Sequence, residues 1–272
     1  PVAETVDEGV YAGLYEEELL EAIAHEYDNN EGIPLPDVLK PVKEHDFTEL
    51  LVNDRDMVLR RIGAEGYRFI IAHEVSSYAY YQRKLRHPIK PGGASGVTIG
   101  IGYDLGYQSL QGFREHWAGF LAADFMQRLE ACIGKKRETA AAVLRSVQDI
   151  DIPYETAIKV FERDSLPRYF GYLNQHIHDE ALESLSPECV AALVSLTFNR
   201  GASFQRVGDR YREMRSIRSA LNEHKLALVP DLLRSMKRLW EGSENLRGLI
   251  RRRDEEADLF EQGLDECLQE PG

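Results

Sequence analysis

Apolar positions recur at helical spacing along most of this chain, and only one short stretch breaks that rhythm. Near the start, Leu19, Ile23 and Tyr27 fall four apart and share a face, predicting one helix over Leu14–Tyr27. Asn29 to Pro36 is turn chemistry and reads as a linker. Phe47, Leu50, Leu51, Met57, Leu59 and Ile62 suggest one or two short helices, and the apolar run from Gly66 to His73 ends in a carboxylate, Glu74. After Gly106 the pattern is helical nearly to the end. It predicts helices over Ser109–Trp117, Phe120–Cys132, Arg137–Val147, Tyr154–Tyr169, Pro187–Phe198, Val207–Glu223, Val229–Trp240 and Glu244–Phe260. Ser186-Pro187-Glu188 is a helix start, with Ser at the N-cap and Pro at the first helical position.

The exception lies between. Pro88, Pro91, Gly92, Gly93 and Gly96 break regular structure, and the β-branched stretch Val97-Thr98-Ile99-Gly100-Ile101-Gly102 follows as a short strand. One hairpin region among many helices predicts an α+β, predominantly α, fold. The division expected is an acidic helical arm or interaction segment over 1–55 and one catalytic domain over 56–272.

Length and composition suit a soluble globular protein: 272 residues, 43% hydrophobic and 29% charged. No apolar run approaches the roughly 20 residues that span a bilayer. The net charge of −13 argues against a nucleic-acid partner, and no Lys or Arg precedes Lys40. Cys132, Cys189 and Cys267 are too few and too scattered for a disulfide framework or a metal site, so no metal or cofactor is expected. The N-terminus lacks the order of a secretory signal, so synthesis in the cytoplasm is expected.

The chemistry suggested by the residues is acid-catalysed glycosidic cleavage. That reaction needs a proton donor on the leaving oxygen, with a second carboxylate acting as nucleophile or as base for water. Glu74 suits the donor, because its approach through Phe69, Ile70, Ile71 and Ala72 limits hydration and burial favours the neutral carboxyl. The architectural alternative is a Glu paired with an Arg. Asp104, six residues beyond Thr98, is the candidate second carboxylate, and a turn-capping role is its equal alternative; Glu115 is weaker. The aromatic cluster Tyr78, Tyr80 and Tyr81 can supply a sugar-stacking face, although such clusters more often form core. A basic stretch, Arg83, Lys84, Arg86 and Lys90, is expected to offset repulsion between an acidic protein and an anionic wall.

Three segments, in order, resemble the phage-type lysozymes, the endolysin group of glycoside hydrolases that includes pesticin-like toxin domains. They are Glu74 with the Gly96–Gly102 strand, the helix Leu193–Gly201 ending Phe198-Asn199-Arg200-Gly201, and Gly248-Leu249-Ile250-Arg251-Arg252-Arg253-Asp254-Glu255-Glu256. The resemblance implies a lysozyme-like fold and a muramidase that cleaves the β-1,4 bond between N-acetylmuramic acid and N-acetylglucosamine. It casts Glu74 as the acid and Thr98 as the group that positions water or sugar. Tyr78, Tyr81, Tyr103 and Asn199 become substrate-binding residues. Peptidoglycan is the implied substrate, reached in the periplasm of a target or host bacterium, and an immunity protein or secretion-machine component is the further partner. The chain departs from the pattern in two places. Arg83 stands where the family carries an acid, and Pro91-Gly92-Gly93-Ala94-Ser95 lengthens the path from Glu to Thr. The second carboxylate is therefore moved or absent, which keeps a lytic transglycosylase, a chitosanase- or chitinase-like glycosidase, and an inactive wall-binding domain open as alternatives.

Overall fold

A computed structural model describes residues 54–93, 95–242 and 246–269, with side chains to residue 265. The arm expected over 1–55, including the Leu14–Tyr27 helix, lies almost wholly outside the described residues. Most of what is described is helical, with one two-stranded antiparallel sheet, so the fold is α+β and predominantly α.

The chain opens on α1, Asp54–Val75, which breaks at Gly63, where φ is 66° and ψ 176°. The conformation at Gly63 is one that glycine adopts at little cost. Ser76 then stops the helix in the left-handed region, with φ 60°. Ser77 caps the next turn, its hydroxyl accepting from the Tyr80 amide at 3.0 Å. That turn, α2 (Tyr78–Tyr80), runs into a π-helical segment, Tyr81–Leu85.

The stretch expected as one strand is a hairpin. β1 is Thr98–Ile99 and β2 is Tyr103–Asp104, joined through Gly100 and Gly102, both at positive φ. Two left-handed glycines so close together reverse the chain, and a continuous strand cannot pass through them. Among the described residues, eight α-helices follow to residue 222: α3 Leu110–Trp117, α4 Ala123–Glu130, α5 Arg137–Leu144, α6 Tyr154–Val160, α7 Leu166–Asn174, α8 Asp179–Glu183, α9 Pro187–Arg200 and α10 Arg212–Asn222. The last two are α11 Val229–Ser235 and α12 Arg247–Gln269. The helix expected over Tyr154–Tyr169 is interrupted by a π-helical turn, Phe161–Ser165, and continues to Asn174.

The stretch expected as a single domain divides into two compact units. Among the described residues the first is Glu74–Ser165, and the second comprises residues 54–73 with those from Leu166 onward. In the first unit, Val97, Ile99, Leu105, Phe113, Trp117 and Leu129 are buried about the hairpin. In the second, α9 is the central element: all residues from Glu188 to Arg200 are buried, and it packs against α7 and α12. The approach of α1 to α9 depends on Gly66, where an added Cβ would lie 2.3 Å from that of Ala191.

Candidate active site

Glu74 is the next-to-last residue of α1 and only 7% exposed. The helix brings the carboxyl in behind an apolar run, and the left-handed Ser76 turns the chain away immediately after it. A non-glycine residue in that region carries a strain of roughly 1–2 kcal/mol, and such residues concentrate at functional sites.

Thr98 is 4% exposed and held from both sides. Its amide donates to the Ile89 carbonyl at 2.8 Å, its carbonyl accepts from the Ile89 amide at 3.0 Å, and its partner on β2 is Asp104. Its hydroxyl Oγ1 is buried and has no hydrogen-bond partner among the described residues. Thr98 and Asp104 are six residues apart in sequence. They are neighbours because the chain doubles back.

The Asp104 carboxylate is occupied. Oδ1 accepts from the amides of Gly96 at 3.0 Å and Gly106 at 2.8 Å, and Oδ2 accepts from Gly96 at 3.1 Å. An added Cβ on Gly96 would fall 2.5 Å from Oδ1. Burial raises Asp104 above its ordinary 3.8; the two amides, then Lys136 and Lys90, act against it. Asp104 therefore takes the turn-capping role, and the geometry provides no acid–base role for it.

The tyrosines separate by environment. Tyr78 is half exposed and meets Tyr154 edge-on, with ring centroids 5.2 Å apart. Tyr81 was expected to offer a binding face. It is fully buried, donates its hydroxyl to the Ile152 carbonyl at 2.9 Å, and is pushed up by burial as a titrating group. Tyr103 is also buried. Its hydroxyl meets His116 Nδ1 at 2.7 Å, and His116 Nε2 meets Asp164 Oδ1 at 2.9 Å. The expectations for Tyr81 and Tyr103 as sugar platforms are thus corrected. Both rings are packed among other side chains, and only Tyr78 keeps an open face.

This Tyr103–His116–Asp164 chain was missed from sequence, where the three residues lie 13 and 48 positions apart with no motif linking them. Arg163 fastens the same place by donating to the carbonyls of Glu115 (2.9 Å) and His116. The expected basic stretch is also revised. Arg86 is spent on a two-point contact with Asp151, through Nε at 2.5 Å and Nη2 at 2.8 Å.

Asn199 belongs to the second unit. It was expected at a helix end, but α9 continues through Arg200 and is closed by Gly201 at φ 65°. Its Oδ1 is buried without a hydrogen-bond partner among the described residues. The motif Arg251-Arg252-Arg253 of the same unit has two buried members, Arg252 and Arg253. Glu256 Oε1 accepts from Ser195 Oγ at 2.6 Å, Arg253 Nη2 at 2.8 Å and Arg252 Nε at 3.1 Å. Burial first, then the charges of Arg252, Arg253 and Arg251, hold His73 well below the ordinary histidine range, so it is neutral.

A family model described as a domain of unknown function (DUF8812) matches residues 70–166. The match coincides with the first compact unit, Glu74–Ser165, to within four residues at one end and one at the other. Glu74, Thr98, Asp104 and the Tyr103–His116–Asp164 chain all fall inside it. No curated protein and no solved structure matches the chain. Among the described residues, no group of three or more His, Cys, Asp or Glu could hold a metal ion, and no helix is long and apolar enough to cross a membrane.

Proposed function

We propose that this protein is a lysozyme-like muramidase that cleaves the β-1,4 bond between N-acetylmuramic acid and N-acetylglucosamine in peptidoglycan. The observation that carries the reading is the presence, within one compact unit, of a buried Glu74 and of a buried Thr98 hydroxyl that has no hydrogen-bond partner among the described residues. Leaving a hydroxyl buried and unbonded costs about 1–3 kcal/mol, so such a group calls for a functional explanation. Here Glu74 donates its proton to the leaving glycosidic oxygen, and low hydration is what keeps a carboxyl suited to that task. The Thr98 hydroxyl orients the attacking water or a sugar hydroxyl. Tyr78, the one tyrosine of its cluster with an open face, stacks on a sugar ring. The protein acts on the wall of a target or host bacterium, as an antibacterial effector or a phage-type lysin.

One observation favours a second reading. Asp104 is held by backbone amides, which leaves the second carboxylate unassigned. A lytic transglycosylase needs only one carboxyl, because the sugar's own hydroxyl attacks. Purified peptidoglycan treated with wild type and Glu74→Gln, with products analysed by mass spectrometry, tests both readings. Reducing-end muropeptides that fall about 10²–10⁴-fold in the variant are expected for the muramidase. Anhydro-muramic products move the reaction to transglycosylation. Absence of products from wild type overturns the enzyme reading.

A further inference from the structure

Residues 1–39 contain eleven acids and no Lys or Arg, whereas residues 40–272 contain 35 acids and 33 bases. Nearly all the net charge of −13 is therefore concentrated in one short segment. The first compact unit carries a feature of opposite sign. Lys90 precedes the Gly-rich loop, Lys135 and Lys136 end the connection from α4 to α5, and Arg137 is the first residue of α5. Two backbone bonds fasten that connection to the loop: Gly134 donates to the Leu105 carbonyl at 3.1 Å, and Arg137 donates to the Ser95 carbonyl at 3.0 Å. Lys90 itself lies next to Ile89, which is bonded through its amide and its carbonyl to Thr98 of the same hairpin.

None of the four cations forms an ion pair with an acid among the described residues. Lys90 Nζ donates to the Pro91 carbonyl at 3.2 Å, and Lys136 Nζ lies 3.3 Å above the Tyr107 ring. Asp104 cannot serve as their counter-ion at the surface, because it is buried and taken up by amides. Elsewhere in this unit Arg86 pairs with Asp151, Arg114 with Glu130 and Arg128 with Asp149. Like charges gathered without counter-ions repel one another, and an opposite charge on a tether is held at high local concentration.

We infer that Lys90, Lys135, Lys136 and Arg137 form a docking surface for the chain's own acidic segment, residues 4–37. The occupant is chosen by charge complementarity and by covalent attachment. The 14 residues from Lys40 to Asn53 tie the segment to α1 and can extend to roughly 50 Å. This contact is electrostatic, so salt releases it. It does not depend on the enzymatic reading, and any anionic wall polymer would have to displace the segment to reach the same cations.

The test is carbodiimide coupling of carboxyls to amines on the full chain, mapped by peptide mass spectrometry, in an equal mixture of isotopically light and heavy protein. Expected are links from Lys90, Lys135 and Lys136 to acids within residues 4–37, joining residues of the same copy, and lost at about 1 M salt where charges are screened within roughly 3 Å. Acetylation provides an independent reading. The same lysines should react several-fold faster at high salt, and at low salt in the variant Glu16→Gln, Glu17→Gln, Glu18→Gln, Glu21→Gln. Links only between light and heavy copies, links that survive salt, or lysines equally reactive in every condition would overturn the inference.

Discussion

At the scale of single residues, Thr98 is where the proposed function and ordinary packing make different predictions. A threonine in a strand is usually explained by β propensity, and on that account its hydroxyl should find a partner or face solvent. Here it does neither among the described residues. Thr98→Val keeps the shape and removes the unbonded oxygen. It should therefore raise stability by up to about 1 kcal/mol while lowering wall hydrolysis at least tenfold. Urea midpoints measured beside muropeptide release check this. A stable and fully active variant would return Thr98 to a purely structural role. Glu74 was legible as a candidate because its apolar approach is local in sequence. The unpartnered state of Thr98 was not, because hydrogen-bond satisfaction depends on everything packed around the group.

At the scale of elements, the hairpin is held by one side chain. Asp104 ties Gly96 to Gly106, and the glycines are there because an added Cβ on either would strike backbone or the Asp104 carboxylate. Since burial raises Asp104 above 3.8, folding favours its protonated form. Its contribution to stability is fully present below 3.8 and is lost as pH rises through the elevated folded value. Asp104→Asn removes that titration. The stability of wild type minus that of Asp104→Asn, from urea unfolding between about pH 3 and pH 7, should fall as pH rises. A flat or rising difference would contradict the assignment. The cap was readable as one of two alternatives from Asp104 preceding Leu105-Gly106. Its second anchor at Gly96 was not, since only the reversal at Gly100–Gly102 brings that amide within reach.

At the scale of the whole molecule, charge is distributed by burial as much as by sequence. The acidic protein keeps Arg252 and Arg253 inside its second unit, around one oxygen of Glu256. Removing one member of a buried ionic group strands the others at a cost of about 3–5 kcal/mol, whereas surface pairs contribute little. Glu256→Ala should therefore lower stability by that amount in chemical denaturation. Arg234→Ala, which removes a more exposed contact with Asp258 and Glu261, should cost under about 1 kcal/mol. Equal losses would mean that the buried cluster is not the framework of its unit. The family-model match, residues 70–166, takes in Glu74 and the hairpin and ends before this cluster.

The sequence by itself determined the helical character of the chain, several helix starts (Arg137, Tyr154, Pro187 and Val229), the β region and the carboxylate at the end of α1. These follow from spacing, capping residues and glycine, which act over a few positions. Tertiary structure alone decided that Tyr81 and Tyr103 are core, that Asp104 is spent on amides, and that Tyr103, His116 and Asp164 meet. It also decided that the amides of Gly134 and Arg137 bond the carbonyls of Leu105 and Ser95. Each of those outcomes depends on which distant groups share a low-dielectric interior or a common surface, and local pattern carries no record of that.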